Sequence, residues 1–157
     1  MRYIPFTQLS DEDRSLVSAA QDAIRLAYNP TTHHLMGAAV QTQSGEIIQA
    51  GSFFSFETGV NICAERGAII TANSLGKRDF AKLAIVNHFH GEEHHIVTPC
   101  GICRQFLYEV AQITNHDIPI LIGEHSLSLD LMVTSVQELL PFPYPALVSS
   151  PIASSVP

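Results

Sequence analysis

Apolar residues recur at two spacings along the chain, and these spacings predict the secondary structure. Helical spacing follows a serine cap at Ser10 and continues to Ala27. The same spacing predicts further helices over 63–75, 100–114 and 136–140. Shorter apolar or alternating runs predict strands at 37–43, 46–50, 83–87, 118–122 and 127–133. The resulting order, α-β-β-α-β-α-β-β-α, is typical of an α/β fold, a three-layer α/β/α sandwich with a central mixed β-sheet.

Turn residues mark the boundaries of these elements. Pro30 ends the first helix, Ser44-Gly45 joins two strands in a hairpin, and Gly76 caps the second helix. We interpret residues 31–35 as a loop, and residues 88–98 as either a loop or a frayed strand. Residues 1–145 are predicted to form one catalytic domain. A tail rich in Pro and Ser, 146–157, is expected either to wrap over the surface or to have no fixed structure.

Composition narrows the class of protein. With 157 residues, 46% hydrophobic and 15% charged, the chain suits one globular domain. The net charge is −7, and Lys77 and Lys82 are its only lysines. This acidity disfavours a nucleic-acid polymer as partner and favours a small neutral molecule. No run approaches the roughly 18 apolar residues of a membrane span, and Met1–Leu9 lacks a signal-peptide pattern, so we expect a cytoplasmic protein.

All three cysteines lie in two short stretches, Cys63-Ala64-Glu65-Arg66 and 99–105, which reads Pro-Cys-Gly-Ile-Cys-Arg-Gln. An odd number of cysteines excludes a complete disulfide framework. Cys100 and Cys103 are spaced to chelate one ion from the first turn of a helix. Three thiolates would hold Zn²⁺ and leave a fourth tetrahedral position open for water. Glu65 would stand beside that water and move protons.

Other interpretations of these residues remain open. A histidine could close the zinc site as a fourth ligand, giving a structural zinc in a protein without enzymatic activity. The three cysteines could also be ordinary core residues. The histidines between the predicted strand and the second cysteine stretch could bind a second metal or form a solvated, pH-sensitive loop. These histidines are His88, His90, His94 and His95.

The two cysteine stretches closely resemble those of the zinc-dependent cytidine deaminase family, in its small homotetrameric type with three cysteines. The resemblance covers about residues 10–145. It includes four further segments, namely Gly37-Ala38-Ala39-Val40, Ser44-Gly45-Glu46-Ile47, 80–86 and 136–141.

The resemblance implies hydrolytic deamination of cytidine, deoxycytidine or a related cytosine nucleoside, with Glu65 as the proton-transfer group. It also implies that Arg66 and Gln105 hydrogen-bond the zinc thiolates. Ala64 is expected to line the substrate site. In the implied homotetramer, Tyr144 would cover the active site of a neighbouring subunit.

The sequence departs from the family where the sugar and base are bound. Ser52 and Phe54 occupy the positions of the asparagine and glutamate that hold the ribose 3′-hydroxyl in the family. His34 replaces a phenylalanine that lines the base pocket. Either Glu57 or His34 substitutes in sugar binding, or the substrate is another aminoheterocycle, such as a modified cytosine nucleoside, a blasticidin-S-like compound or the free base. The aromatic run at 53–56 would then stack on or enclose an apolar substituent. Alternatively, it packs against a neighbouring subunit or the core.

Overall fold

The computed structural model describes residues 1–32, 34–89 and 95–144. Within them, six strands form one sheet in the order β1-β6-β5-β4-β2-β3. The strands are β1 (Arg2–Ile4), β2 (His34–Thr42), β3 (Ile47–Gly51), β4 (Phe80–Phe89), β5 (Pro119–Glu124) and β6 (Leu131–Ser135). The α-helices are α1 (Asp11–Asp22), α2 (Ala64–Ser74), α3 (Gly101–Thr114) and α4 (Val136–Leu139). Short 3₁₀ turns occupy Phe6–Gln8, Ala23–Leu26 and Thr58–Val60.

Helices cover both faces of the sheet, which confirms the predicted three-layer α/β/α sandwich. Successive residues of β2 point to opposite faces. Ala38 and Val40 belong to the apolar cluster with α2 and α3, whereas Ala39 belongs to the cluster with α1. The sheet is mixed, because β4 and β5 are parallel and the other neighbouring pairs are antiparallel.

The strand directions place α2 and α3 on the same face with their N-termini at the same edge. β3 and β4 are both antiparallel to β2, so they run parallel to each other and to β5. α2 connects β3 to β4, and α3 connects β4 to β5. Crossovers between parallel strands are right-handed. The crossover from β3 to β4 and the crossover from β4 to β5 move along the sheet in the same direction, so α2 and α3 lie on the same face.

Tight backbone packing holds α1 against the other face. A Cβ atom added at Gly37 would lie 2.0 Å from the carbonyl oxygen of Ala20. At Gly51 it would lie 2.4 Å from the backbone nitrogen of Ala27. No side chain fits at either position, so these two glycines permit the close approach of α1 and its 3₁₀ extension to the hairpin.

Local signals in the sequence correctly place several element ends. Ser10 caps α1, its hydroxyl accepting a hydrogen bond from the Asp13 N–H at 3.1 Å. The hairpin turn contains Gly45 at φ 87°, and Gly76 follows α2 at φ 77°. These positive φ angles explain why glycine is favoured at both turns.

Several strand boundaries differ from the sequence prediction by two or more residues, and β1 was not predicted at all. β2 begins at His34 rather than Gly37, because His34 pairs with Phe89 at the extended end of β4. The sequence predicts a loop at His34 and either a loop or a frayed strand at Phe89. β6 begins at Leu131 rather than Leu127, because the Glu124 carboxylate holds the preceding residues in a turn. It accepts hydrogen bonds from the backbone N–H groups of Ser126, Ser128 and Leu129.

Within the described residues, no helix is long and apolar enough to cross a membrane. The tail predicted at 146–157 lies outside those residues.

Candidate metal centre

The three cysteines, which lie up to 40 positions apart in the sequence (103 − 63), converge at the N-termini of α2 and α3. Cys63 and Cys100 occupy the cap positions of the two helices, and Cys103 lies in the first turn of α3. Their sulfur atoms all lie within 4.8 Å of one another, and the Cys100 and Cys103 sulfurs are 3.4 Å apart. Tetrahedral zinc with Zn–S bonds of about 2.3 Å separates its sulfurs by about 3.8 Å. The donor set therefore fits Zn²⁺.

The helix ends supply positive electrostatic potential to this cluster. Neither Cys63 nor Cys100 accepts a side-chain capping hydrogen bond from its own helix. Two N-termini, each equivalent to about half a positive charge, point toward three sulfurs. This arrangement offsets part of the negative charge that three thiolates would bring to zinc.

Cys63 and Cys103 differ in the pKa of their thiols. The causes include the hydrogen bond between the two thiols and the nearby Arg66 guanidinium. Contact with Cys103, supplemented by Arg66, lowers the pKa of Cys63 to about 7. Cys63 raises the pKa of Cys103, and burial acts in the same direction. Cys63 therefore loses its proton more readily than Cys103, and the deprotonated thiolate is the form that binds a metal.

Glu65 is the acidic group of the centre. It lies in the first turn of α2, its residue is only 1% exposed, and its Oε2 has no hydrogen-bond partner within the described structure. Burial raises the pKa of this carboxyl, while contact with the Cys103 thiol acts in the opposite direction. A buried carboxyl with a free oxygen next to a metal-binding thiol can carry protons to or from a bound reactant.

Arg66 lies against the cysteines, and its hydrogen bonds to zinc thiolates stay a prediction. Its guanidinium contacts the thiols of Cys63 and Cys103. Its Nη2 donates to the backbone carbonyl of Asn61 at 2.7 Å. Arg66 therefore connects the sulfur cluster to the backbone at Asn61, just before α2.

Gln105 has different partners from those predicted. Its Oε1 accepts a hydrogen bond from the Tyr144 N–H at 3.0 Å, and its Nε2 donates to the Tyr144 carbonyl at 3.1 Å. A further contact reaches Glu109. A hydrogen bond from Gln105 to a zinc thiolate stays a prediction.

Ser52 is buried and engaged by the backbone. It is 1% exposed, and its hydroxyl accepts a hydrogen bond from the Met36 N–H at 3.3 Å. The neighbouring Phe54 is half-buried, and its N–H donates to the Tyr28 carbonyl at 2.7 Å. The ring of Phe53 stacks on Tyr28 with centroids 5.1 Å apart. Substrate contacts of Ser52 and Phe54 stay predictions.

His34 lies on the sheet face that carries α2 and α3, since it has the same strand parity as Met36 and Ala38. Its ring stacks on Phe89 at a centroid distance of 3.9 Å. His95 packs on the same phenyl ring at 4.5 Å. The Nε2 of His34 is buried and has no hydrogen-bond partner in the part of the chain described. Burial, and then His95, lower the pKa of His34.

The other predicted substrate residues occupy contrasting environments. Ala64 is fully buried at the start of α2. Tyr144 is 75% exposed, although its backbone is held by Gln105. An exposed ring on a fixed backbone suits contact with another molecule, but its role at a neighbouring site stays a prediction.

The histidines do not join the metal centre in the described ranges. Over residues 1–32, 34–89 and 95–144, the three cysteines are the only grouping of at least three metal-binding side chains. His88 instead packs against His125, at a centroid distance of 4.6 Å. His90 and His94 lie outside those ranges. A described histidine therefore does not close the site.

Sequence patterns missed the contacts that support the second cysteine stretch. Asn87 is a buried amide in β4, directly after the apolar run 83–86, and it hydrogen-bonds His95 and Val97. Arg104 hydrogen-bonds three oxygens around the start of α3. The sequence signal for the Asn87 contacts was a single Asn at the end of an apolar run. Its partners, His95 and Val97, cannot be inferred from spacing.

The geometry predicts that the purified protein binds one zinc ion per chain. Cys103→Ser should strongly reduce zinc content, because it removes the fully buried ligand of the three. Metal analysis after dialysis against a weak chelator measures this change. Ile102→Ser, an exposed position on the same helical turn, is the matched control and should retain the metal. Full zinc content in Cys103→Ser would contradict the assignment.

Comparisons with known proteins agree with this centre. Residues 10–116 match the family described as the cytidine and deoxycytidylate deaminase zinc-binding region. The blasticidin-S deaminase of Bacillus cereus is 34% identical over 140 residues, covering 87% of this chain and 94% of that protein. The cytidine deaminase of Halalkalibacterium halodurans is 32% identical over 126 residues, covering 80% and 89%.

A solved structure extends this likeness to the fold. The cytidine deaminase of Burkholderia pseudomallei superposes with a TM-score of 0.73 at 30% identity, covering 87% of this chain and all of that one. The three-cysteine cluster fits the zinc-binding region of this family, and the chain belongs to the cytidine and deoxycytidylate deaminase family.

Proposed function

We propose that this protein is a zinc-dependent hydrolase that deaminates cytidine, deoxycytidine or a related cytosine nucleoside, releasing ammonia and the uracil form. The observation that carries the proposal is the Glu65 carboxyl. It is buried, and one of its oxygens lacks a partner among the described residues, beside the converging sulfurs. A purely structural zinc gives no reason to bury a carboxyl in this way. Relatives that cover most of the chain are deaminases of small heterocycles.

The chemistry follows from the placement of Glu65. A zinc ion held by Cys63, Cys100 and Cys103 would lower the pKa of a coordinated water and would thereby supply the nucleophile for hydrolysis. Glu65 accepts a proton from that water through Oε2 and transfers it to the ring nitrogen adjacent to the amine-bearing carbon. The C–N bond to the amine then breaks, and Glu65 conveys the second water proton to the departing ammonia. Water supplies the carbonyl oxygen and two protons, so the reaction is balanced.

Glu65→Ala should lower turnover of cytidine by about 10²–10⁴-fold, the usual contribution of general acid–base catalysis. Ammonia release measured at saturating substrate tests the change. Zinc content should stay close to one per chain, because Glu65 is not one of the converging donors.

Glu12→Ala, an exposed residue of α1, is the control and should retain full activity. If Glu65→Ala kept more than about a tenth of wild-type turnover, its proton-transfer role would be refuted.

A second candidate substrate class is a modified cytosine nucleoside or a blasticidin-S-like compound. Two observations favour it, namely the identity of 34% to a blasticidin-S deaminase and the phenyl ring at Phe54. The Ser52 hydroxyl is already engaged by the Met36 N–H, so it is poorly placed to replace a lost sugar contact. This candidate keeps the same reaction and changes only the group attached to the ring.

A substrate panel distinguishes the two candidates. We expect cytidine and deoxycytidine to be turned over with kcat/KM values above those of free cytosine and blasticidin S. Ammonia release under identical conditions gives the ranking. Higher kcat/KM for blasticidin S, with negligible turnover of plain cytidine, would establish the second candidate in place of the first.

We infer further that the protein assembles as a homotetramer in a reducing, cytoplasmic compartment. Phe142 and Tyr144 are 92% and 75% exposed, and the Tyr144 backbone is clamped by Gln105. Exposed aromatic rings on a fixed backbone favour contact with another subunit. All three cysteines are free, and a reducing compartment keeps thiols available for zinc.

Phe142→Ser combined with Tyr144→Ser should shift the protein from a tetramer to smaller species, because it removes the two exposed rings. Light scattering at micromolar concentration measures the mass. Ile102→Ser, another exposed apolar position, controls for a general loss of surface hydrophobicity. A wild-type protein of monomeric mass would refute the proposed assembly.

A further inference from the structure

Cys100 differs from the other two zinc ligands in how its position is determined. Cys103 lies inside α3 and is fully buried. Cys63 contacts Arg66, whose guanidinium also reaches the Asn61 carbonyl. Cys100 is exposed and stands at the end of the segment 95–99, before the first helical residue Gly101. The backbone of that segment therefore sets where its sulfur lies.

Asn87 holds the upstream part of this segment. Its side chain is on β4 and the residue is 2% exposed. The Nδ2 donates to the His95 carbonyl at 3.0 Å, and the Oδ1 accepts from the Val97 N–H at 3.2 Å. The Asn87 carboxamide thus pairs with the backbone carbonyl of His95 and the backbone N–H of Val97, as the backbone of a neighbouring strand would. The segment is thereby fixed to the end of β4.

Arg104 holds the downstream part of the segment. Its Nε donates to the Pro99 carbonyl at 2.8 Å, and its Nη2 donates to the Thr98 hydroxyl at 2.8 Å. Its Nη1 donates to the Leu139 carbonyl at 3.3 Å, which links the segment to the end of α4. The planar guanidinium directs three donors at fixed angles, so it orients the residues immediately before Cys100.

We propose that Asn87 and Arg104 are positioning residues for the Cys100 zinc ligand. The inference rests on the proposed zinc-dependent function. Together the two side chains make five hydrogen bonds, four of them to residues 95–99. Neither side chain is itself a metal donor in the cluster. Both hold the Cys100 sulfur in the position from which it binds the metal, so that without them Cys100 binds the metal incompletely.

The experiment compares Asn87→Leu and Arg104→Gln with the wild type, using purified full-length protein. Zinc affinity is measured by competition with a chromophoric chelator. We expect each variant to bind zinc about 10–100-fold more weakly, the usual effect of losing a group that orients a metal ligand. In the cobalt-substituted proteins, the thiolate-to-metal charge-transfer absorption should fall toward that of Cys100→Ser, which has lost one thiolate.

Matched controls are available at the far end of α2. The Arg78 Nε donates to the Asn73 Oδ1 at 2.7 Å, and both residues are exposed. Asn73→Leu and Arg78→Gln repeat the same two chemical changes away from the cysteines. Both should leave zinc affinity and the cobalt spectrum unchanged.

A milder variant covers the case in which Asn87→Leu or Arg104→Gln does not fold. Thr98→Val removes one of the three acceptors of Arg104 and keeps the side-chain volume. It should weaken zinc binding in the same direction by a smaller factor. Unfolding of the metal-free proteins is measured in parallel, so that a loss of stability is separated from a loss of metal affinity.

The possible results separate a failure of the positioning role from a failure of the metal centre itself. Zinc affinity within two-fold of wild type in Thr98→Val and in the folded variants at Asn87 and Arg104 would overturn the positioning role, even if the metal-free proteins were less stable. A wild-type protein that binds no zinc would instead refute the proposed metal centre. Weaker zinc binding with an unchanged cobalt spectrum would also count against the inference, because Cys100 would still be in place.

Discussion

The structure depends on the convergence of two helix N-termini on one cluster of sulfur atoms. Parallel β3, β4 and β5 make this possible, because helices that follow parallel strands begin at the same edge of a sheet. Right-handed crossovers place α2 and α3 on the same face. The caps of both helices are cysteines rather than residues that bond the free N–H groups. Positive potential at both ends is therefore directed to the metal centre.

This centre places a polar group where packing alone would favour an apolar one. Glu65 lies among buried residues of α2, with an oxygen that the described residues leave unpaired. An unsatisfied buried polar group typically costs about 1–3 kcal/mol. The rest of that face is densely apolar, from Ala68 and Ile69 on α2 to Leu107 on α3. The buried Glu65 carboxyl is thus surrounded by an otherwise apolar core.

Local patterns were reliable where the physical cause is local. The Ser10 cap, the hairpin turn and the Gly76 helix end depend on a few neighbouring residues, and the structure contains all three. Strand ends were less predictable, because they depend on pairing. His34 continues β2 only because Phe89 lies opposite to it. The start of β6 has a different cause: the adjacent Glu124 carboxylate holds Ser126 and Ser128 in a turn, a local side-chain contact that the alternation of apolar residues does not reveal.

The sequence by itself determined the chemistry of the site, because ligand identity and short spacing are properties of adjacent residues. Cys63 with Glu65, and Cys100 with Cys103, could be recognised as a zinc centre before any fold was known. Only the tertiary structure decided the hydrogen-bond partners of the polar side chains near that centre. Asn87 reaches Val97, Arg104 reaches Leu139, and Gln105 pairs with Tyr144. Such hydrogen bonds join residues that are far apart in the chain, and their partners are chosen by the packing of sheet and helices.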